Sequence, residues 1–176
     1  MPEGLIQKAG NGVMFNISWL AIVSSQTVVV ALPVVALHLL IHQFWLGQGR
    51  RELAFIAAVA LFGLLMDQFL FALGVFTLAG EPAMAPIWLT CLWPVLATTL
   101  NHAFATLQQK LALAAVLGGI GGLGSYWAGT GMSAVGFADP IAGPIIIAVL
   151  WAILFPALAY AARLVFTEGH GEASLA

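Results

Sequence analysis

Apolar residues fill this chain in long runs, and the places where the runs stop define its elements. Gly47-Gln48-Gly49, Gly80-Glu81-Pro82, Gln108-Gln109 and the stretch 129–143, with Asp139-Pro140 inside it, are turn-forming interruptions. A helix needs about 20 mostly apolar residues to cross a bilayer. The runs predict six such helices, at about 11–24, 27–45, 53–78, 86–107, 110–128 and 144–166. The expected fold class is all-α: a polytopic membrane helix bundle forming one domain over residues 1–176, with a short polar tail at 167–176.

Residues 13–45 are long for one span and short for two, and Ser24-Ser25-Gln26 offers only a modest turn. Charge placement decides the count. With six spans, Lys8, Arg50, Arg51, Lys110 and Arg163 all fall on one side, and these are the 5 Lys and Arg of the chain. Glu81 and Asp139 fall on the other. Cytoplasmic loops are enriched in Lys and Arg, so the basic side is read as the cytoplasm, with both termini on it. A five-span arrangement would strand Lys8 outside. No Ala-x-Ala site follows the first run, and Asn16 and Ser18 interrupt it, so a retained helix is expected rather than a cleaved signal.

Composition strengthens this picture. Hydrophobic residues make up 62% of the 176 and charged residues only 7%, against roughly 25% charged in soluble domains. So few charges cannot cover a water-exposed surface, so the medium around most of the chain is lipid. The net charge of −2 supplies no basic face, and no nucleic-acid partner is expected. The single cysteine, Cys91, excludes an internal disulfide framework and a Cys-based metal site. Trp45 falls near the inner interface, Trp88 and Trp127 near the outer one. Pro33, Pro94 and Pro156 lie within spans, and Pro94 removes the donor that the Thr90 carbonyl would use. The fifth helix carries Gly118, Gly119, Gly121, Gly122 and Gly124; the spacing of Gly118 and Gly122 suits close helix packing. A phosphate loop is the other reading of this run. It is disfavoured by the absence of a preceding strand and a following Lys.

Polar residues at membrane depth carry the candidate chemistry. Asp67 lies about 24 Å along its helix from Arg51 at 1.5 Å per residue. A carboxyl there costs roughly 2.5–3.5 kcal/mol on insertion scales, so it should face the interior and have partners. Trp93, Thr90, Ser125 and Tyr126 are at matching depth. Asp67 is then either a proton-handling or substrate-binding group, or a structural node tying three helices together. His38 and His42, spaced i, i+4, share a helix face, and His102 beside Asn101 sits at similar depth. Those residues are either interfacial groups bonded to backbone and headgroups, or ligands of a metal or haem. No carboxylate is evident near them. Membrane di-iron oxygenases use many more histidines than the 4 present. Thr98, Thr99 and Asn101 form a polar patch suited to interhelical hydrogen bonds. Ser125 has no histidine at its depth, which disfavours Ser-His acyl transfer.

The pattern Asp67…Gly74-Val75, Pro86-x-Trp88-Leu89-x-x-Leu92-Trp93, Ala97-Thr98-Thr99-Leu100-Asn101-His102 and Gly121-Gly122-x-x-Ser125-Tyr126-x-x-Gly129 resembles a small bacterial inner-membrane family of unknown function. It departs from that family at Leu123, where a proline is expected. Members tend to be encoded near enzymes that modify membrane fatty acids, such as cyclopropane-synthase-like methyltransferases. The resemblance therefore implies a role in lipid modification or envelope stress and assigns no activity. Three readings follow. The first is a non-enzymatic accessory protein whose partners are membrane lipids, lipid-modifying enzymes and a second copy of the chain, with no cofactor expected. The second is a small proton-coupled transporter using Asp67 and a hinge at Pro94. The third is a haem- or metal-binding membrane enzyme using His38, His42 and His102.

Overall fold

The computed structural model describes residues 2–172, and side chains for 4–166. Its helices are α1 (Pro2–Ser25), α2 (Val28–Trp45), α3 (Arg50–Ala72), α4 (Ile87–Thr90), α5 (Leu92–Ala97), α6 (Leu111–Met132) and α7 (Ala142–Glu172), with a 3₁₀ turn at Ala105–Gln109. Two short strands, β1 (Phe76–Leu78) and β2 (Val135–Phe137), pair antiparallel with Phe76 opposite Phe137. Among the described residues, four helices are long and apolar enough to cross a membrane: Val28–Trp45, Arg50–Ala72, Leu111–Met132 and Ala142–Phe166. Large apolar side chains such as Phe44 and Val29 are 89% and 83% exposed, as an apolar surrounding medium requires.

Four elements differ from the expectation. The third helix stops at Ala72, not 78. Gly74 takes φ +69°, its N–H bonds to the Phe71 carbonyl, and the Val75 N–H reaches the Leu70 carbonyl. This is a Schellman termination, closed by a glycine that accepts the left-handed conformation. The residues beyond it, read as the end of an apolar span, become β1. The fourth segment, expected as one helix over 86–107, is broken. Pro94 cannot bond the Thr90 carbonyl, and the chain turns at Cys91 between α4 and α5. Beyond Ala97, the Thr98 and Thr99 hydroxyls donate to the Val95 and Leu96 carbonyls at 2.7 and 2.6 Å, competing with the helix ladder. Backbone bonds there leave the α-helical spacing of four: Leu100 to Ala97 and His102 to Thr99 span three residues, and Phe104 to Thr99 spans five. Finally, the first helix begins at Pro2 rather than near 11, and the polar tail continues α7 as far as Glu172; 173–176 lie outside the described residues.

An irregular backbone inside an apolar bundle needs partners. Asn11 of α1 supplies two: its Nδ2 donates to the Thr98 carbonyl at 3.4 Å, and its Oδ1 accepts from the Ala103 N–H at 3.3 Å. Gln108 Nε2 donates to the Leu100 carbonyl at 2.9 Å. α5 therefore occupies the middle of the bundle, against α1, α2 and α3, while α6 packs mainly on α7. A Cβ on Gly118 or Gly122 would overlap Phe155 or Trp151 of α7, so these two glycines set that approach. At one end of the bundle Gln26 bonds the Met132 carbonyl and the Ala134 N–H, beside the β1–β2 pair. At the other, Gly10 abuts Trp45 and Gly12 abuts Ala103.

Candidate functional site

Two polar groupings sit inside the bundle, and an aromatic cavity lies between them and α6–α7. The first grouping centres on Asp67 of α3, which is 1% exposed. Trp93 Nε1 donates to its Oδ2 at 3.0 Å, and the Thr90 hydroxyl donates to the same oxygen at 3.2 Å. The indole of Trp93 is held by three aromatic and backbone neighbours as well. A Cβ on Gly63 would overlap it, Phe62 meets it edge-on at 5.9 Å, and Trp151 stacks on it at 5.6 Å with 19° between planes. Tyr126 stacks on Phe76 at 5.3 Å and tilts toward Trp151 at 6.3 Å. Neither Tyr126 nor Ser125 hydrogen-bonds to Asp67; both line the cavity instead.

That cavity has a volume of about 620 Å³ and lies between α1, the broken fourth segment, α6 and α7. Its walls are Phe15, Trp19, Trp88, Trp93, Trp151 and Phe155, with leucines and the glycine face of α6. Trp88, expected at the lipid interface, is buried here. No Asp, Glu, Lys, Arg or His is among the lining residues. Such a space suits an apolar molecule; its size falls in the roughly 300–1,000 Å³ range of small-molecule sites.

The second grouping lies at the end of the bundle where α2 stops and α3 begins. The three histidines divide. His38 spends both ring nitrogens on hydrogen bonds, Nδ1 with Ser18 at 2.9 Å and Nε2 with Thr98 at 2.9 Å. It braces α1, α2 and the unwound chain and does not join the other two. His42 and His102 meet edge to face at 5.0 Å. Both Nε2 atoms approach one oxygen, Glu52 Oε1, at 3.2 and 3.1 Å. His102 donates a hydrogen bond to that oxygen, and the Gln48 N–H donates to Glu52 Oε2 at 2.7 Å. His42 is 1% exposed, and while its Nε2 contacts Glu52, its Nδ1 has no partner. A buried unpaired polar atom costs about 1–3 kcal/mol. Asn101 accepts from Gln108 Nε2 at 2.9 Å, while its own Nδ2 has no partner. Glu52 was hidden in the sequence because an acid in a helix's first turn is ordinary dipole complementation. Ser18 reads in the sequence only as an interruption of an apolar run, and Asn11 only as the start of the first span.

Helical architecture and apolar segments of membrane length fit a helical membrane protein, with a half-open apolar cavity beside the buried carboxyl–indole pair. The chain belongs to the family described as protein of unknown function (DUF2878), whose model matches residues 8–157 and so spans both groupings and the cavity. No curated protein and no solved structure matches it.

Proposed function

We propose that this chain is a six-span protein of a bacterial inner membrane, both termini cytoplasmic, that holds a lipid acyl chain in its aromatic cavity. It serves membrane-lipid modification as a non-catalytic accessory. The observation that carries this reading is the uncharged, aromatic-walled cavity at membrane depth. Asp67 has a place in it as a positioning residue: its carboxylate holds the Trp93 indole, which forms part of the wall. The topology is supported by contacts that bring the turn at Gln26 beside β2 and the loop at Trp45 beside Gly10. These leave Glu81 and Asp139 at one end and Lys8, Arg50, Arg51 and Lys110 at the other.

The test uses Gly121→Leu. Gly121 lines the cavity, and a Cβ there meets nothing within 4 Å, so a larger side chain starts into open space and narrows the cavity. Membrane acyl chains are compared between wild type, a strain lacking the protein, and that strain carrying either form. Loss of the protein shifts the profile, the wild-type chain restores it, and Gly121→Leu, made at equal level, does not. Identical profiles in all strains would end the lipid reading.

A second reading, small proton-coupled transport, is favoured by one feature: the fourth segment is discontinuous at membrane depth, as in many transporters. It requires Asp67→Asn to abolish transport in folded protein. The positioning role requires that variant to retain function, because an amide oxygen still accepts from Trp93.

A further inference from the structure

We infer that His42, Glu52 and His102 form a binding site for a divalent first-row transition metal, independent of the cavity and of the lipid reading. The three candidate ligand atoms lie within 4.8 Å of one another and come from three separate elements: the end of α2, the first turn of α3, and the unwound chain after α5. Two imidazoles and one carboxylate are the donors that Zn²⁺ and Fe²⁺ prefer over Mg²⁺ or Ca²⁺, which take oxygen. Metal–ligand bonds of about 2.0–2.2 Å at tetrahedral angles place ligand atoms roughly 3.3 Å apart. The two Nε2 atoms stand 3.2 and 3.1 Å from Glu52 Oε1.

Distance alone would equally describe hydrogen bonds, and His42 separates the cases. Its Nε2 lies 3.2 Å from Glu52 Oε1 as a close contact without hydrogen-bond alignment, and its Nδ1 has no partner. An ion bonded to both atoms lies off the line between them, so close approach without alignment is what co-ligands show. Among the described residues, every buried side-chain nitrogen or oxygen without a partner belongs to His42, its neighbour Gln43, or Asn101 beside His102. Unmet polar demand is therefore concentrated on the proposed ligands and their sequence neighbours. Glu52 is oriented by the Gln48 N–H on its other oxygen, the outer support that metal-bound carboxylates use. His102 is 10% exposed, which leaves the site an approach from the bundle end. Three protein ligands leave a coordination position open.

The full-length protein in detergent is stripped with a chelator, loaded with Zn²⁺ alone, gel-filtered and analysed for metal. Wild type should retain one Zn²⁺ per chain and unfold at a higher temperature for it. Glu52→Gln and His42→Asn should bind at least about 100-fold more weakly, the upper end of the losses seen even for outer partners. Asp67→Asn, remote from the site, should bind as wild type does. If a ligand variant fails to fold, His102→Cys decides. With Co²⁺ it should keep the ion and gain a sulfur-to-cobalt charge-transfer band, which a purely structural histidine would not produce. A folded wild type that retains no Zn²⁺, ligand variants that bind like wild type, or a Co²⁺-treated His102→Cys protein without that band would each overturn the site.

Discussion

A carboxylate deep in an apolar run is costly, and that cost makes Asp67 visible in the sequence. Asp67 stands out in an apolar run, and Thr90 and Trp93, three residues apart, offer donors on one helical face. Both do bond to it. The other two expected partners do not, because depth along a helix says nothing about which way it is rotated: Ser125 and Tyr126 face the cavity. Glu52 illustrates the opposite failure. Its position beside Arg50 and Arg51 looks like a solvated helix start, whereas 1% exposure and two imidazoles are facts of packing. Because Asp67 holds the Trp93 indole, Asp67→Ala strands that buried donor at about 1–3 kcal/mol and leaves the half-buried Thr90 hydroxyl without its acceptor. Asp67→Asn should lose much less, since it keeps an acceptor. Thermal unfolding in detergent reads the ordering, and equal melting of the alanine variant and wild type would contradict it.

Elements were legible wherever a long apolar run had a strong stop, as for α2, α6 and α7. They were illegible where local chemistry ended a helix inside an apolar run. Gly74 and the Thr98–Thr99 pair do this, the first by conformation and the second by hydroxyls that compete for carbonyls. Glycine roles also divide by contact rather than by spacing. Gly63→Ala would press on Trp93 and should destabilise by about 1–3 kcal/mol. Gly121→Ala meets open space and should stabilise slightly, by up to ~1 kcal/mol, through helix propensity. Paired melting curves test the contrast, and similar effects at the two positions would refute it. The start of α7 gives a pH prediction. Asp139 Oδ1 accepts from the Ala142 and Ile141 N–H groups at 2.7 and 2.8 Å, which holds its carboxyl below the usual range. A depressed folded value means this stabilisation is present above the unfolded pKa of about 3.9 and is lost as pH falls through the folded one. Asp139→Ala should therefore melt below wild type at pH 7, with the gap closing in acid; a gap that does not vary with pH would rule out the charged cap.

On the scale of the whole molecule, charge asymmetry and interior space make separate claims. The proposed topology sets Gly80 outside and Gln48 inside. Cys91, the one native cysteine, is buried, so single cysteines introduced at those positions report cleanly. A membrane-impermeant thiol reagent applied to intact cells should label Gly80→Cys and spare Gln48→Cys; the reverse pattern would invert the bundle. The cavity could not be foreseen from apolar runs, because it arises where the broken fourth segment faces Gly118, Gly121 and Gly122 of α6. It is also the part of the account on which the function rests. The most direct test is native mass spectrometry of the purified, delipidated protein titrated with a single phospholipid. The wild type should hold one lipid through activation that strips the rest, and Gly121→Leu should hold none. Equal retention by the two forms, or none by either, would contradict an acyl-chain site in this cavity.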